Sequence, residues 1–146
     1  MPLEEIRVLG DFTLTVSSPQ NVWISSEITE SSPLVFDASL VYHGDNPEAH
    51  AHHRFQFYNF GVKRSNGEGL FGNAIVDVTR HTTFQNGKPY TWKFKWYEWP
   101  IFIDEELGIL MPIDVGNYYF VFGVELFFVS DLPNFEYLIL LPFSIV

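Results

Sequence analysis

The stretch Tyr90-Thr91-Trp92-Lys93-Phe94-Lys95-Trp96-Tyr97-Glu98-Trp99 decides the fold class. Tyr90, Trp92, Phe94 and Trp96 share one parity, and Thr91, Lys93, Lys95, Tyr97 and Trp99 share the other. Side chains point to alternate faces of an extended chain, so this rhythm marks a strand with one face turned to a core. The same two-residue period recurs at Phe12-Thr13-Leu14-Thr15-Val16, at Leu34, Phe36, Ala38 and Leu40, and at Phe120, Phe122, Val124, Leu126 and Phe128. No long stretch repeats at helical spacing. The pattern predicts an all-β chain.

Working outward, about eight strands are expected. The first runs over 6–16 and ends at Ser17-Ser18-Pro19-Gln20-Asn21. The second covers 22–28, the third 34–43, the fourth 53–60 and the fifth 74–84. Between the third and fourth lies a polar loop over 44–48. Asn86-Gly87 tolerates positive φ and signals a hairpin before the strand over 90–99. The segment 101–111 is less regular, with one helical turn expected over 104–107. Long strands then occupy 116–130 and 135–146, separated by Asp131-Leu132-Pro133-Asn134. Eight short strands with turns every 8–15 residues predict a single antiparallel β-sandwich spanning 1–146, immunoglobulin-like or jelly-roll.

A chain of 146 residues buries about 70% of its unfolded surface, enough for one core. That core is aromatic, with 15 Phe, 7 Tyr and 4 Trp. Cysteine is absent, which excludes disulfides and thiolate chemistry. The start Met1-Pro2-Leu3-Glu4-Glu5-Ile6-Arg7 has no basic, apolar signal, so a cytoplasmic protein is expected. The apolar run 137–141 is too short for a bilayer, so no membrane association is expected.

A net charge of −10 argues against nucleic acid, whose phosphates draw on clustered Lys and Arg. The distribution carries more. Seven of the eight basic residues fall between Arg54 and Lys95, a window with two acids, Glu68 and Asp77. The first 53 residues hold eight acids and one base, and the 51 after Lys95 hold eight acids and no base. Such segregation has two readings: the middle strands share a solvated sheet face rich in Lys, or a positive face stands against a negative one, which favours head-to-tail self-association or an acidic partner.

One constellation has metal-ligand spacing. Gly44 precedes His50-Ala51-His52, with Gln56 four positions on. Imidazoles two apart on a strand share a face and can converge on one ion. The arrangement resembles the first cupin motif, which implies a metal-dependent enzyme with His50 and His52 as ligands inside a jelly roll. Gln56 stands where that motif has Glu, and residues 112–119 offer Tyr118 and Tyr119 where the second motif has a His. Strand parity bears on the pair separately: His50 and His52 are out of phase with Phe55 and Phe57. If those phenylalanines enter the core, the pair faces solvent. His43 and His81 read as ordinary surface or hydrogen-bonded histidines.

Other signals are weaker. Gly67-Glu68-Gly69-Leu70-Phe71-Gly72 matches G-x-G-x-x-G, but it leads into the β-favouring Ile75-Val76-Asp77-Val78 rather than a helix, so no phosphate cradle is expected. Asp104, Glu105, Glu106 and Asp114 lack calcium-loop spacing. No Gly-x-Ser-x-Gly elbow occurs. No cofactor is expected.

The remaining candidates are the outward residues of the 90–99 strand. Tyr97 and Trp99, beside Lys93 and Lys95, form an aromatic and basic face suited to contact. The expectation is therefore a non-catalytic module that binds a protein partner or another copy of itself through Lys93, Lys95, Tyr97 and Trp99. A cupin-like metalloenzyme and a carbohydrate- or lipid-binding sandwich are the alternatives.

Overall fold

The computed structural model describes residues 2–53, 57–67, 69–72, 80–96, 101–103, 107–109, 115–128 and 135–146. The described residues form two packed sheets. In chain order the strands are β1 (Leu3–Leu9), β2 (Phe12–Ser18), β3 (Val22–Trp23), β4 (Leu34–Tyr42), β5 (Glu48–His53), β6 (Tyr58–Arg64), β7 (Gly69–Gly72), β8 (Arg80–Gln85), β9 (Pro89–Trp96), β10 (Ile101–Ile103), β11 (Leu107–Ile109), β12 (Gly116–Phe128) and β13 (Phe135–Ile145). The first sheet runs β1-β2-β4-β9-β10-β11. The second runs β3-β13-β12-β5-β8, with β6 also on β12 and β7 beyond it. The architecture is the expected β-sandwich, open at its edges rather than closed into a barrel.

Alternation sets the layers. Leu34, Phe36, Ala38, Leu40 and Tyr42 of β4 are buried, as are Trp92, Phe94 and Trp96 of β9. Tyr118, Phe120, Phe122, Val124 and Leu126 of β12 face them from the second sheet. Phe36 stacks flat on Phe120, with centroids 4.2 Å apart and planes 3° off parallel. Phe94 packs on Phe120 at 5.2 Å and on Phe60 at 5.1 Å. Each such ring contributes about 1.5–3 kcal/mol by leaving water. The void left between Phe36, Phe60, Phe94 and Phe120 is about 10 Å³, about the space that a single water needs.

Several boundaries differ from the expected ones. The strand expected over 6–16 is a hairpin: Leu9 pairs with Phe12 across Gly10-Asp11, and Gly10 takes φ 54°. A residue without Cβ makes that reversal at little cost. The strand expected over 22–28 stops after Trp23 in a 3₁₀ turn at Ser25–Glu27, and Ile28 returns to plug the core. The strand expected over 53–60 is two strands, since β5 ends at His53 and β6 begins at Tyr58. Of the expected 74–84 strand, the described part is β8. Of the expected helical turn, 104–106 lies outside the described residues and Leu107 opens β11.

Asn86-Gly87 is not a hairpin. β8 pairs with β5 in one sheet and β9 with β4 in the other. The turn therefore carries the chain between sheets, beside residues 43–47, which take β4 into β5. Together β4–β5 and β8–β9 make one antiparallel ribbon that bends from sheet to sheet, a recognised way to form a sandwich corner. The bend is fastened by specific bonds. The Asn86 side-chain amide donates to the carbonyl of Gly44 and to that of Asn46. The Gly87 N–H donates to Tyr42 O at 2.8 Å, and the Asn86 N–H donates to Pro47 O at 2.9 Å. Gly87, at φ 78°, supplies the left-handed residue that the turn requires.

Candidate functional site

Lys93 and Lys95 lie exposed on the outer face of the first sheet, as alternation with Trp92, Phe94 and Trp96 requires. Lys93 stands opposite Asp37 in register, its Nζ 3.8 Å from the carboxylate. The neighbouring outward positions include the hydroxyls Thr13, Thr15, Ser17, Ser39 and Thr91, with Val35 opposite Lys95 and Val41 opposite Thr13, so this face is largely polar. Tyr97 and Trp99 lie outside the described residues.

His50 and His52 fall on the outer face of the second sheet, because Ala49, Ala51 and His53 take the buried positions of β5. Outward placement of the pair agrees with the parity argument and differs from the enclosed setting that a cupin resemblance implies. The structure adds a residue that the sequence left isolated. His81 on β8 pairs directly with His52, and its ring centroid lies 5.5 Å from that of His50 and 5.4 Å from that of His52. His50 Nδ1 lies 3.0 Å from Thr83 Oγ1. Phe127, the partner of His52 on β12, is exposed at the edge of the same patch. Only the pairing of β5 with β8 brings His81 here, and nothing in the spacing of 50 and 81 announces it. Among the described residues, no group of three or more His, Asp or Glu side chains is placed to hold a metal ion.

His43 is hydrogen-bonded, as expected, and His53 lies in the core. His43 Nε2 lies 2.8 Å from Thr13 Oγ1. His53 is buried, with Nε2 2.6 Å from Thr82 Oγ1 and its ring edge-on to Phe57. The G-x-G-x-x-G stretch forms a turn at Gly67, φ 94°, and then strand β7 against β6. The described part of the motif is thus turn and strand, without the helix N-terminus of a phosphate cradle, and residues 73–79 lie outside the described residues.

A third feature lies along one lateral side of the sandwich. Of the nine exposed large hydrophobic residues among the described residues, seven belong to β1, to β3 and the residue after it, or to β13 and the residue after it: Ile6, Val8, Val22, Ile24, Leu138, Leu140 and Val146. β3 is paired with β13, and β1 runs close to β13 from the other sheet; Ile6 and Val8, opposite Thr15 and Thr13, face outward from the first sheet, and Leu138 and Leu140, flanking buried Ile139, face outward from the second. Acids border them, including Glu4, Glu5, Glu27 and Glu30, with Arg7 the local base. Arg7 and Glu5 form an ion pair on the core-side parity of the edge strand β1. Inward-pointing charge on an edge strand discourages pairing with another edge. The opposite side, built from β6, β8 and β9, carries Lys63, Arg64, Arg80, Lys88, Lys93 and Lys95.

No family model matches the chain, and no curated protein matches it. No helix among the described residues is long and apolar enough to cross a membrane.

Proposed function

We propose that this chain is a non-catalytic, cytosolic β-sandwich module that associates with copies of itself, the acidic and apolar β1–β3–β13 side of one copy seating on the basic β6–β8–β9 side of the next. The observation that carries this reading is that seven exposed hydrophobic residues belong to the neighbouring strands β1, β3 and β13 or directly follow them, with Glu4, Glu5, Glu27 and Glu30 beside them. Exposed apolar surface rimmed by polar groups marks interaction sites, and complementary charge steers and orients the encounter. The inward ion pair on β1 disfavours edge-to-edge sheet extension, so the contact runs through side chains.

A contact between two different patches is heterologous and propagates into rings or open chains unless capped. Light scattering coupled to size exclusion tests it across concentration and salt. Association is expected to weaken between about 0.05 M and about 0.5 M salt, as screened charges lose their steering. Leu140→Glu disables one side and Lys95→Glu the other, and each variant alone is expected to be monomeric. An equimolar mixture of the two is expected to form a capped one-to-one dimer through the intact side of each. A wild-type chain that stays monomeric at all concentrations overturns the reading, and so does a mixture that fails to dimerise.

A further inference from the structure

We propose that the open edge of β13, from Leu138 to Pro142, takes an extended segment of a partner protein as an added strand, one whose side chains alternate between apolar and basic. The inference goes beyond the self-association reading and stands without it, since it needs one chain and a different occupant. β12 lines one side of β13 from Phe135 to Ile145, but β3 meets the other side at Ser144 and Ile145 alone. The N–H of Ser144 donates to Asn21 O at 2.9 Å, and that of Val146 to Trp23 O at 2.8 Å. Even-numbered residues of this strand therefore turn their N–H and C=O away from β12. The register with β12 is unbroken, which carries the same parity back along the strand. The N–H groups of Leu138 and Leu140, and the carbonyls of Leu138, Leu140 and Pro142, thus point to the open side, with no backbone partner there among the described residues. Pro142 fits this assignment, because a proline within a sheet sits where its missing N–H faces no neighbour. A row of unpaired donors and acceptors is a template for another strand.

The surroundings define the occupant. Leu138 and Leu140 are exposed on the outer face, so apolar side chains on that face of an added strand lie beside them. The alternate side chains turn toward β1, which runs close to β13 from the other sheet. Around this edge Glu4, Glu5, Glu27 and Glu30 outnumber the single base Arg7, and the electrostatic complement of such a border is a basic segment. β1 itself is guarded by its inward Arg7–Glu5 ion pair. Pro142 ends the row of donors, so the added strand is short.

The test is an NMR titration of the chain with the capped peptide Val-Lys-Val-Lys-Val-Lys-Val, read by amide exchange, with the peptide carrying Glu in place of Lys as control. In the free chain, Leu138 and Leu140 amides are expected to exchange fast, and those of Ile139 and Leu141, bonded to β12, slowly. At ten times its Kd the Lys peptide is expected to slow the first two about tenfold. Leu140→Pro removes one edge-facing N–H and leaves the β12 ladder intact; it is expected to weaken peptide binding about tenfold, the worth of one hydrogen bond. Leu138→Lys keeps every backbone group and sets a like charge against the peptide, so it decides the matter if the proline variant is unfolded. Lys95→Glu, monomeric under the self-association reading and intact along β13, is expected to bind the peptide as wild type does. Exchange at Leu138 and Leu140 that the Lys peptide leaves unchanged overturns the proposal, as does equal binding of the two peptides or wild-type affinity in both edge variants. Self-association lost in Leu140→Pro, with no peptide binding to wild type, assigns the edge to a second copy and overturns it too.

Discussion

Replacing Gly44 with alanine is expected to cost far more stability than its place in a polar loop implies. A Cβ at this position would sit 2.5 Å from Tyr42 Cε1, 2.5 Å from its hydroxyl oxygen and 2.7 Å from Cζ. Carbon atoms rest about 3.5–4.0 Å apart, so the shortfall is about 1 Å. Neither side yields easily. Tyr42 is 1% exposed and packs against Phe12 at 5.3 Å, and Phe12 is held in turn by Phe84 and Phe128. The Gly44 carbonyl is bound by Asn86, and the Tyr42 carbonyl by Gly87. Overpacking of this kind costs about 1–3 kcal/mol, and the double anchoring places Gly44→Ala near the upper end. At about 3 kcal/mol a chain of this length loses about 9 °C in Tm. Urea denaturation followed by tryptophan fluorescence measures the loss directly, with an unchanged m-value expected. Gly10→Ala is the control: nothing lies within 4 Å of its Cβ, so its cost is the positive-φ penalty alone, about 1 kcal/mol. Tyr42→Leu in both backgrounds closes a double-mutant cycle. A Gly44→Ala variant within about 0.5 kcal/mol of wild type, or one with no coupling to Tyr42, refutes the close-approach argument.

Other outcomes follow from single contacts. Phe36→Ala removes the ring stacked on Phe120 and is expected to lose about 3–5 kcal/mol in chemical denaturation; a loss under about 1 kcal/mol would mean the two sheets close over the gap. The Tyr42 hydroxyl is buried with no hydrogen-bond partner among the described residues, so Tyr42→Phe is expected to hold or raise stability by up to about 1 kcal/mol, which thermal unfolding reads. Asn86→Ala releases two carbonyls at the sheet-switching corner and is expected to lose about 1–2 kcal/mol, while Asn86→Asp, which cannot donate, should lose as much.

The layers were legible because burial of large rings imposes a period that the chain cannot disguise. Phe36, Phe94, Phe120 and Trp92 declare their faces two residues at a time, and the outward placement of His50, His52, Lys93 and Lys95 follows from the same parity. Pairing was less legible. Asn86-Gly87 carries the chemistry of a tight turn, but whether such a turn closes a hairpin or moves the chain between sheets depends on partners 40 residues away, at Gly44 and Asn46. The 6–16 run hid a reversal, because Gly10-Asp11 interrupts the apolar rhythm without a proline or a longer polar run. His81 was illegible for the same reason as the corner: its neighbours are chosen by the register of β5 against β8, which no local pattern encodes. The apolar lateral side escaped notice because its members come from the two ends of the chain and meet only through the pairing of β3 with β13.

The bent ribbon has a bearing on how the molecule comes apart. Each of its two arms contributes a strand to both layers, so neither layer can be peeled away while the other keeps its full complement of backbone bonds. Amides of β4 and β9 should therefore exchange with solvent at the same slow rate as those of β5 and β8, in a single opening event. The outermost strand β1, which belongs to one layer alone, is free to fray ahead of them.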